Sequence, residues 1–79
     1  MTNSLHTPEY RRFVVRLVEI RKAAEVTQQE LARRLGKPQS YVSKVERCER
    51  RLDPAEFDLI VRALGGDPVA AFRSVSEDR

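Results

Sequence analysis

Tryptophan is absent from this 79-residue chain, and cysteine and histidine occur once each. A single cysteine cannot form an internal disulfide, so nothing in the sequence argues for secretion. His6 has no cysteine or histidine partner at metal-binding spacing, which argues against a metal site. The three glycines form no phosphate-binding loop, and no carboxylates cluster in an apolar setting. We therefore expect neither enzymatic activity nor a cofactor.

Long apolar runs are also missing. Apolar residues make up 41% of the chain, but no stretch approaches the roughly 20 residues that a membrane-spanning helix needs. The first ten residues, MTNSLHTPEY, lack the charged start and apolar core of a signal peptide. We expect a cytoplasmic protein with one domain over residues 1–79 and no membrane contact. Residues 1–6 and 76–79 are predicted to be flexible tails.

The apolar residues that are present recur at helical spacing. In the first segment, three- and four-residue steps align Tyr10, Phe13, Leu17 and Ile20 on one face. Proline fits the first turn of a helix, and four predicted helix starts contain one, namely Pro8, Pro38, Pro54 and Pro68. No segment alternates with a period of two residues. The sequence therefore predicts an all-α fold of five helices without a sheet.

The segment between residues 27 and 46, TQQELARRLGKPQSYVSKVE, reads as two short helices joined by a turn. Thr27 and Glu30 have the spacing of a capping box, in which each side chain binds the backbone N–H of the other residue. Gly36 is the residue type that tolerates the left-handed conformation after a helix end, and Pro38 suits the next helix start. This arrangement is the helix-turn-helix motif.

The order of residues is more specific than the motif alone. TQQELARRLG followed by QSYVSKVE resembles the Cro and phage-repressor type of helix-turn-helix, the XRE family of bacterial regulators. The resemblance extends back to Leu17 and forward through LIVRALG to near Pro68. It implies a phage-repressor-like domain whose second motif helix enters the major groove of double-stranded DNA. The family usually has glycine at the position of Cys48, so we expect this helix to run one or two residues longer here.

One face of the second motif helix carries short polar groups and a cation. Gln39 and Ser40 lie in its first turn, and Ser43 and Lys44 follow one turn later. Amides pair with adenine, lysine pairs with guanine, and serine accepts several partners. The resemblance implies base contacts at Gln39, Ser40 and Lys44, and geometry alone adds Ser43. The alternative is a polar face that is merely solvated.

Positive charge is concentrated around the motif. Residues 33–51 contain seven basic and two acidic side chains, although the net charge is only +3. Such a patch is typical of nucleic-acid binding, and an arginine-rich solvated face is the alternative. The residues that would flank the groove on its phosphate side are Arg47, Arg50 and Arg51. The resemblance adds Gln28, which matches a phosphate-clamping position. Tyr41 either contacts a phosphate or packs against the first helix.

Three further sites have structural interpretations. The resemblance implies an ion pair between Arg21 on the first helix and Glu46 at the end of the recognition helix, which would fix the angle between the two helices. Arg33 and Arg34 read as solvated side chains. Cys48 lies close to Arg47, Arg50 and Arg51 in the sequence, which would suit a redox-sensitive thiol. An ordinary replacement of glycine is the interpretation that we favour.

The leading hypothesis is a small DNA-binding transcriptional regulator that acts as a homodimer on a palindromic operator. The chain has more apolar residues than one small core can use. We therefore predict that the surplus residues form a dimer surface, namely Leu59, Val69, Phe72 and Val75. The alternative is an antitoxin-type interaction module that covers a toxin partner and regulates its own operon. The short segment after Val75 argues against this alternative, because it leaves little chain to wrap a partner.

Overall fold

A computed structural model describes residues 7–77 of the chain. This part contains five α-helices, α1 Pro8–Ala23, α2 Gln28–Leu35, α3 Gln39–Glu46, α4 Pro54–Ala63 and α5 Pro68–Glu77. No strand occurs between residues 7 and 77. The predicted all-α, five-helix fold is therefore confirmed. The tail predicted for residues 1–6, together with His6, lies outside the described residues.

Local signals in the sequence determine most helix starts. The Thr7 and Thr27 side chains accept hydrogen bonds from the third backbone N–H of α1 and α2, at 3.1 and 3.0 Å. Asp53 and Glu56 form the complete capping box of the chain's fourth helix. At Thr27 the box is only half made, because Glu30 binds two arginines instead. Pro38 occupies the cap position of α3, one residue before the helix proper.

Four helices end in the same way, with a left-handed residue and two backbone hydrogen bonds that turn back onto the last helical turn. Glycine supplies this conformation after α2 and α4, at Gly36 and Gly65, but Glu25 and Cys48 supply it after α1 and α3. Cys48 has φ +59°, and the N–H groups of Cys48 and Glu49 donate to the carbonyls of Val45 and Lys44.

The expectation that α3 would run further without glycine is therefore wrong. The helix ends at Glu46, and Cys48 adopts the conformation that glycine would have adopted. A left-handed backbone costs a non-glycine residue roughly 1–2 kcal/mol. Burial of the Cys48 side chain and the two backbone hydrogen bonds from Cys48 and Glu49 offset this cost.

All five helices contribute to one buried apolar cluster. Its members include Leu17 from α1, Leu31 and Ala32 from α2, Val42 and Val45 from α3, Phe57, Ile60 and Val61 from α4, and Ala71 from α5. The cluster holds the short helices α2 and α3 against α1 and α4, because eight-residue helices are not stable alone. Within residues 7–77 no helix is both long and apolar enough to cross a membrane.

The carboxyl-terminal boundary differs from the prediction. Ser76 and Glu77, which we expected to fray, are part of α5. No proline or glycine follows Pro68, so nothing in the local sequence stops the helix before the described residues end. Residues 78 and 79 of the predicted tail lie outside the described part of the chain.

Candidate nucleic-acid interface

The two motif helices are joined by a tight turn. Gly36 has φ +67°, and a Cβ atom added there would meet no other atom within 4 Å. The left-handed backbone, and not lack of space, therefore favours glycine at this position. The N–H of Gly36 donates to the Arg33 carbonyl and that of Lys37 to the Ala32 carbonyl. The turn brings α3 across α2 in the helix-turn-helix arrangement.

The outer face of α3 presents the polar residues that we predicted to contact bases. Gln39, Ser40 and Lys44 are exposed, and Ser43 is half-buried. Val42 and Val45 are buried on the opposite side of the helix, against the core. The four polar side chains are therefore available to a ligand that approaches this surface. Base contact by these residues stays a prediction.

Arg21 and Glu46 form an ion pair that connects α1 to the end of α3. Arg21 Nε and Nη2 donate to the two carboxylate oxygens of Glu46 at 2.6 and 3.0 Å. Arg21 Nη1 donates to the Val26 carbonyl at 2.8 Å, in the turn before α2. The exposed fractions of the two side chains are only 10% and 9%. One guanidinium thus joins α1, the turn before α2, and α3.

Gln28 lies in the same network. Its Nε2 donates to Glu46 Oε1 at 2.8 Å, which links the first residue of α2 to the last residue of α3. The hydrogen bond to Glu46 therefore sets the orientation of the Gln28 side chain, which is the predicted phosphate clamp. Contact between Gln28 and a phosphate stays a prediction.

The arginines after α3 are not equivalent. Arg47 is exposed and pairs with Glu49 at 3.2 Å. Arg51 is also exposed. Arg50 is half-buried, and its Nη1 lies 2.8 Å from Glu56 Oε2 and 3.1 Å from the Arg51 carbonyl. Two of the three predicted phosphate contacts are thus carried by exposed side chains, whereas Arg50 is held by α4.

Tyr41 bridges α3 and α4. Its hydroxyl donates to Glu56 Oε2 at 3.0 Å, and its ring packs against the core. Two cations lie over the ring, with Arg50 Cζ at 4.7 Å and Lys37 Nζ at 5.4 Å from the ring centroid. Burial, followed by the hydrogen bond to Glu56, raises the pKa of Tyr41 to about 12. Its hydroxyl is therefore a proton donor at neutral pH.

Sequence reasoning missed Glu56 as a member of this surface. Its spacing of three residues from Asp53 indicates only a helix cap, and its contact with Tyr41 spans fifteen residues of sequence. The Asp53 N–H, followed by the hydrogen bonds from Tyr41 and Arg50, lowers the pKa of Glu56. The carboxylate is therefore ionised near neutral pH. No local pattern could have placed it beside Tyr41.

Arg33 and Arg34 are exposed, as predicted, but they are not free of contacts. Both donate to the Glu30 carboxylate, and these hydrogen bonds, that from Arg33 first, lower the pKa of Glu30 to about 2. Arg34 Nη1 also donates to the Ala63 carbonyl at 2.8 Å, at the end of α4. Arg34 thus connects α2 to α4, and Arg33 is the more exposed of the two.

The apolar residues that we nominated for a dimer surface lie on α4 and α5. Leu59, Val69 and Phe72 are 61%, 65% and 56% exposed, and Val75 is half-buried. Val69 and Phe72 border an apolar groove that also includes Phe13, Pro54 and Phe57. Among residues 7–77 no three His, Cys, Asp or Glu side chains come together as a possible metal site.

Comparison with known proteins agrees with this architecture. A family model described as helix-turn-helix matches residues 17–70. The structure is similar to that of an XRE-family like protein from Pseudomonas syringae pv. tomato str. DC3000, with 46% sequence identity and a TM-score of 0.87. The match covers 94% of this chain and 90% of the other. A comparison with curated proteins gives no match. The chain belongs to the XRE family of helix-turn-helix, DNA-binding regulators.

Proposed function

We propose that this protein is a sequence-specific transcriptional regulator, active in the cytoplasm as a homodimer on a palindromic operator. The single observation that carries the proposal is the outer face of α3, where Gln39, Ser40 and Lys44 are exposed beside a basic segment. Polar groups of this kind read base edges in the major groove. The arginines after α3 would hold the sugar-phosphate backbone on either side.

The geometry of DNA supports the proposed dimer. One eight-residue recognition helix reads only a few base pairs, and two-fold symmetry doubles the contact. The two recognition helices would then lie about 34–36 Å apart, in successive major grooves. Exposed apolar side chains on α4 and α5 support an interface there, because such residues seldom cluster on a monomer without a partner.

The test of DNA recognition is fluorescence anisotropy with the DNA upstream of the gene and with a scrambled duplex, at several salt concentrations. Lys44→Ala should cost about 1–3 kcal/mol on the preferred duplex and reduce the preference over the scrambled one. Arg51→Ala should weaken both duplexes alike and reduce the salt slope by about 1.

Arg62→Ala is the matched control, because it removes an exposed arginine from the end of α4, away from α3. It should leave both duplexes bound as in the wild type. If Lys44→Ala and Arg51→Ala gave the same pattern on both duplexes, the division into base-reading and phosphate-binding residues would be wrong. If the wild-type protein bound neither duplex, the proposed function itself would fail.

The test of the dimer is sedimentation equilibrium. Phe72→Glu introduces a charge into the α4 and α5 surface and should shift the protein toward the monomer. Val15→Glu is the control, since Val15 is 55% exposed on α1 and lies outside the nominated surface. Equal effects of both changes, or a wild-type protein that is monomeric at the concentrations that bind DNA, would contradict the proposed interface. A second protein that co-purifies at equal amounts would instead favour the antitoxin-type alternative.

A further inference from the structure

The first turn of α4 carries a carboxylate that binds two donors of the recognition region. Glu56 Oε2 accepts from the Tyr41 hydroxyl at 3.0 Å and lies 2.8 Å from Arg50 Nη1. The Arg50 guanidinium also lies over the Tyr41 ring, 4.7 Å from its centroid. These three side chains form a compact cluster, which we call the Glu56 cluster, at the border of the polar face of α3.

Helix capping uses only one of the two oxygens of the Glu56 carboxylate. Glu56 Oε1 accepts from the Asp53 N–H at 3.0 Å and thereby completes the capping box. The other oxygen has no part in the box, yet it engages both Tyr41 and Arg50. A hydroxyl and a guanidinium held together are the donors that proteins commonly use for the phosphates of DNA. Tyr41 and Arg50 are therefore donors that could bind a phosphate oxygen in place of Glu56 Oε2.

The cluster is open enough for its partners to be exchanged. The Arg50 side chain is 42% exposed and that of Glu56 is 23% exposed, so solvent and ligands reach the pair. An ion pair of this exposure contributes little to stability. Phosphate is a strong acceptor for arginine and offers oxygens of the same kind as a carboxylate. The interaction between Arg50 and Glu56 is therefore weak enough for a DNA phosphate to replace it.

We infer that Glu56 competes with DNA phosphate for Tyr41 and Arg50 and so lowers the affinity of this surface for DNA. The inference rests on the proposed DNA binding and adds a negative regulator built into α4. When DNA binds, Arg50 exchanges the carboxylate for a phosphate, and the negative charge of Glu56 remains close to the backbone. Each of these steps costs part of the free energy that the phosphate contact supplies.

The test is Glu56→Gln, measured by anisotropy on the preferred duplex over a series of salt concentrations. Glutamine serves equally well at this position of a capping box, so α4 keeps its cap. The variant should bind about threefold to fivefold more tightly, because the partly exposed ion pair no longer has to be given up. Its salt slope should differ from that of the wild type by less than about 0.9, the contribution of one phosphate contact, because Arg50 binds the phosphate in both proteins.

Two further variants identify the cause. Asp58→Asn removes one negative charge from the same helix, where Asp58 pairs with Arg62 and not with the Glu56 cluster. It should leave affinity within about 1.5-fold of the wild type, because Asp58 holds neither of the donors that the phosphate would take. In an Arg50→Met background, Glu56→Gln should lose most of its gain, because the charged one of the two contested donors is absent.

The outcomes separate this inference from the proposed function. If the wild type binds DNA and Glu56→Gln binds equally or more weakly, Glu56 does not compete with phosphate and serves only to position α3. An equal gain from Asp58→Asn, or a gain that persists without Arg50, also overturns the inference. If the wild type shows no salt-dependent binding, the proposed function fails and this inference fails with it. Should Glu56→Gln be unfolded, Glu56→Ala replaces it in the same comparison.

Discussion

The ion pair between Arg21 and Glu46 is the interaction whose loss should damage the fold most. Arg21→Met keeps a side chain of similar length but removes three hydrogen bonds, two to Glu46 and one to the Val26 carbonyl. The carboxylate of Glu46 then remains buried and keeps the hydrogen bond from the neutral Gln28 amide. Removing one partner of a buried ion pair costs roughly 3–5 kcal/mol. We expect the lower end, about 3 kcal/mol, because Gln28 still donates to the carboxylate.

This loss is large relative to the stability of a small chain. A protein of this length has roughly 4–12 kcal/mol of total stability. A loss of about 3 kcal/mol should lower Tm by about 12–24 °C. Thermal unfolding followed by circular dichroism measures the shift, and urea unfolding gives the free energy independently.

Arg62→Met is the control for Arg21→Met. Arg62 pairs with Asp58 across one turn of α4, and both side chains are exposed, so its loss should cost only about 0.3–0.5 kcal/mol. The double variant Arg21→Met with Glu46→Met should recover part of the loss, because no charge is then left buried without its partner. If Arg21→Met were no worse than Arg62→Met, the ion pair would not hold α1 and α3 together, and the reasoning would be refuted.

Three further predictions concern Cys48 and Tyr41. Cys48→Val places a β-branched residue at φ +59° and should lower the free energy of unfolding by about 1–3 kcal/mol. Cys48→Gly should stay within about 1 kcal/mol of the wild type. Equal losses of the two variants in urea unfolding would contradict the backbone argument. The buried Cys48 thiol should react with Ellman's reagent far more slowly in the native protein than in denaturant, and fast native reaction would revive a redox role. The pKa of Tyr41 is raised from 10.0 to about 12, so the stability contributed by its neutral phenol is complete below pH 10 and is lost as pH rises through 12. Phenolate absorbance should show this delayed titration in the wild type, and Tyr41→Phe should remove the part that belongs to Tyr41. Tyr10 should still titrate late in the variant, because burial raises its pKa as well.

The features that were predictable from the sequence are those encoded within a few residues. Asp53-Pro54 indicates a helix start, because the cap depends on the Asp53 side chain itself. Gly36 indicates a helix end, because glycine itself favours the left-handed turn. The left-handed conformations of Glu25 and Cys48 were not predictable in this way. Neither residue type favours positive φ, so the surrounding packing and hydrogen bonds impose it.

Long-range polar contacts were predictable only through family resemblance. The Arg21–Glu46 pair joins residues 25 positions apart, and spacing alone gives no reason to connect them. The bond from Arg34 to the Ala63 carbonyl spans 29 positions and was not foreseen. Arginine on an exposed helix face is usually solvated, so its capping of a distant helix depends on a tertiary arrangement that composition does not encode.

The recognition helix is attached to the rest of the protein at both ends. At its last residue, Glu46 binds Arg21 of α1 and Gln28 of α2. In its first turn, Tyr41 binds Glu56 of α4. An eight-residue helix has little stability of its own, so these contacts and the buried valines of α3 determine its orientation. Both attachments use a carboxylate, and the two differ in burial. The buried Glu46 keeps its partners and fixes the angle of α3. The more accessible Glu56 binds Tyr41 and Arg50, which a phosphate can bind in its place. Burial thus distinguishes a structural carboxylate from one that is suited to competition with DNA.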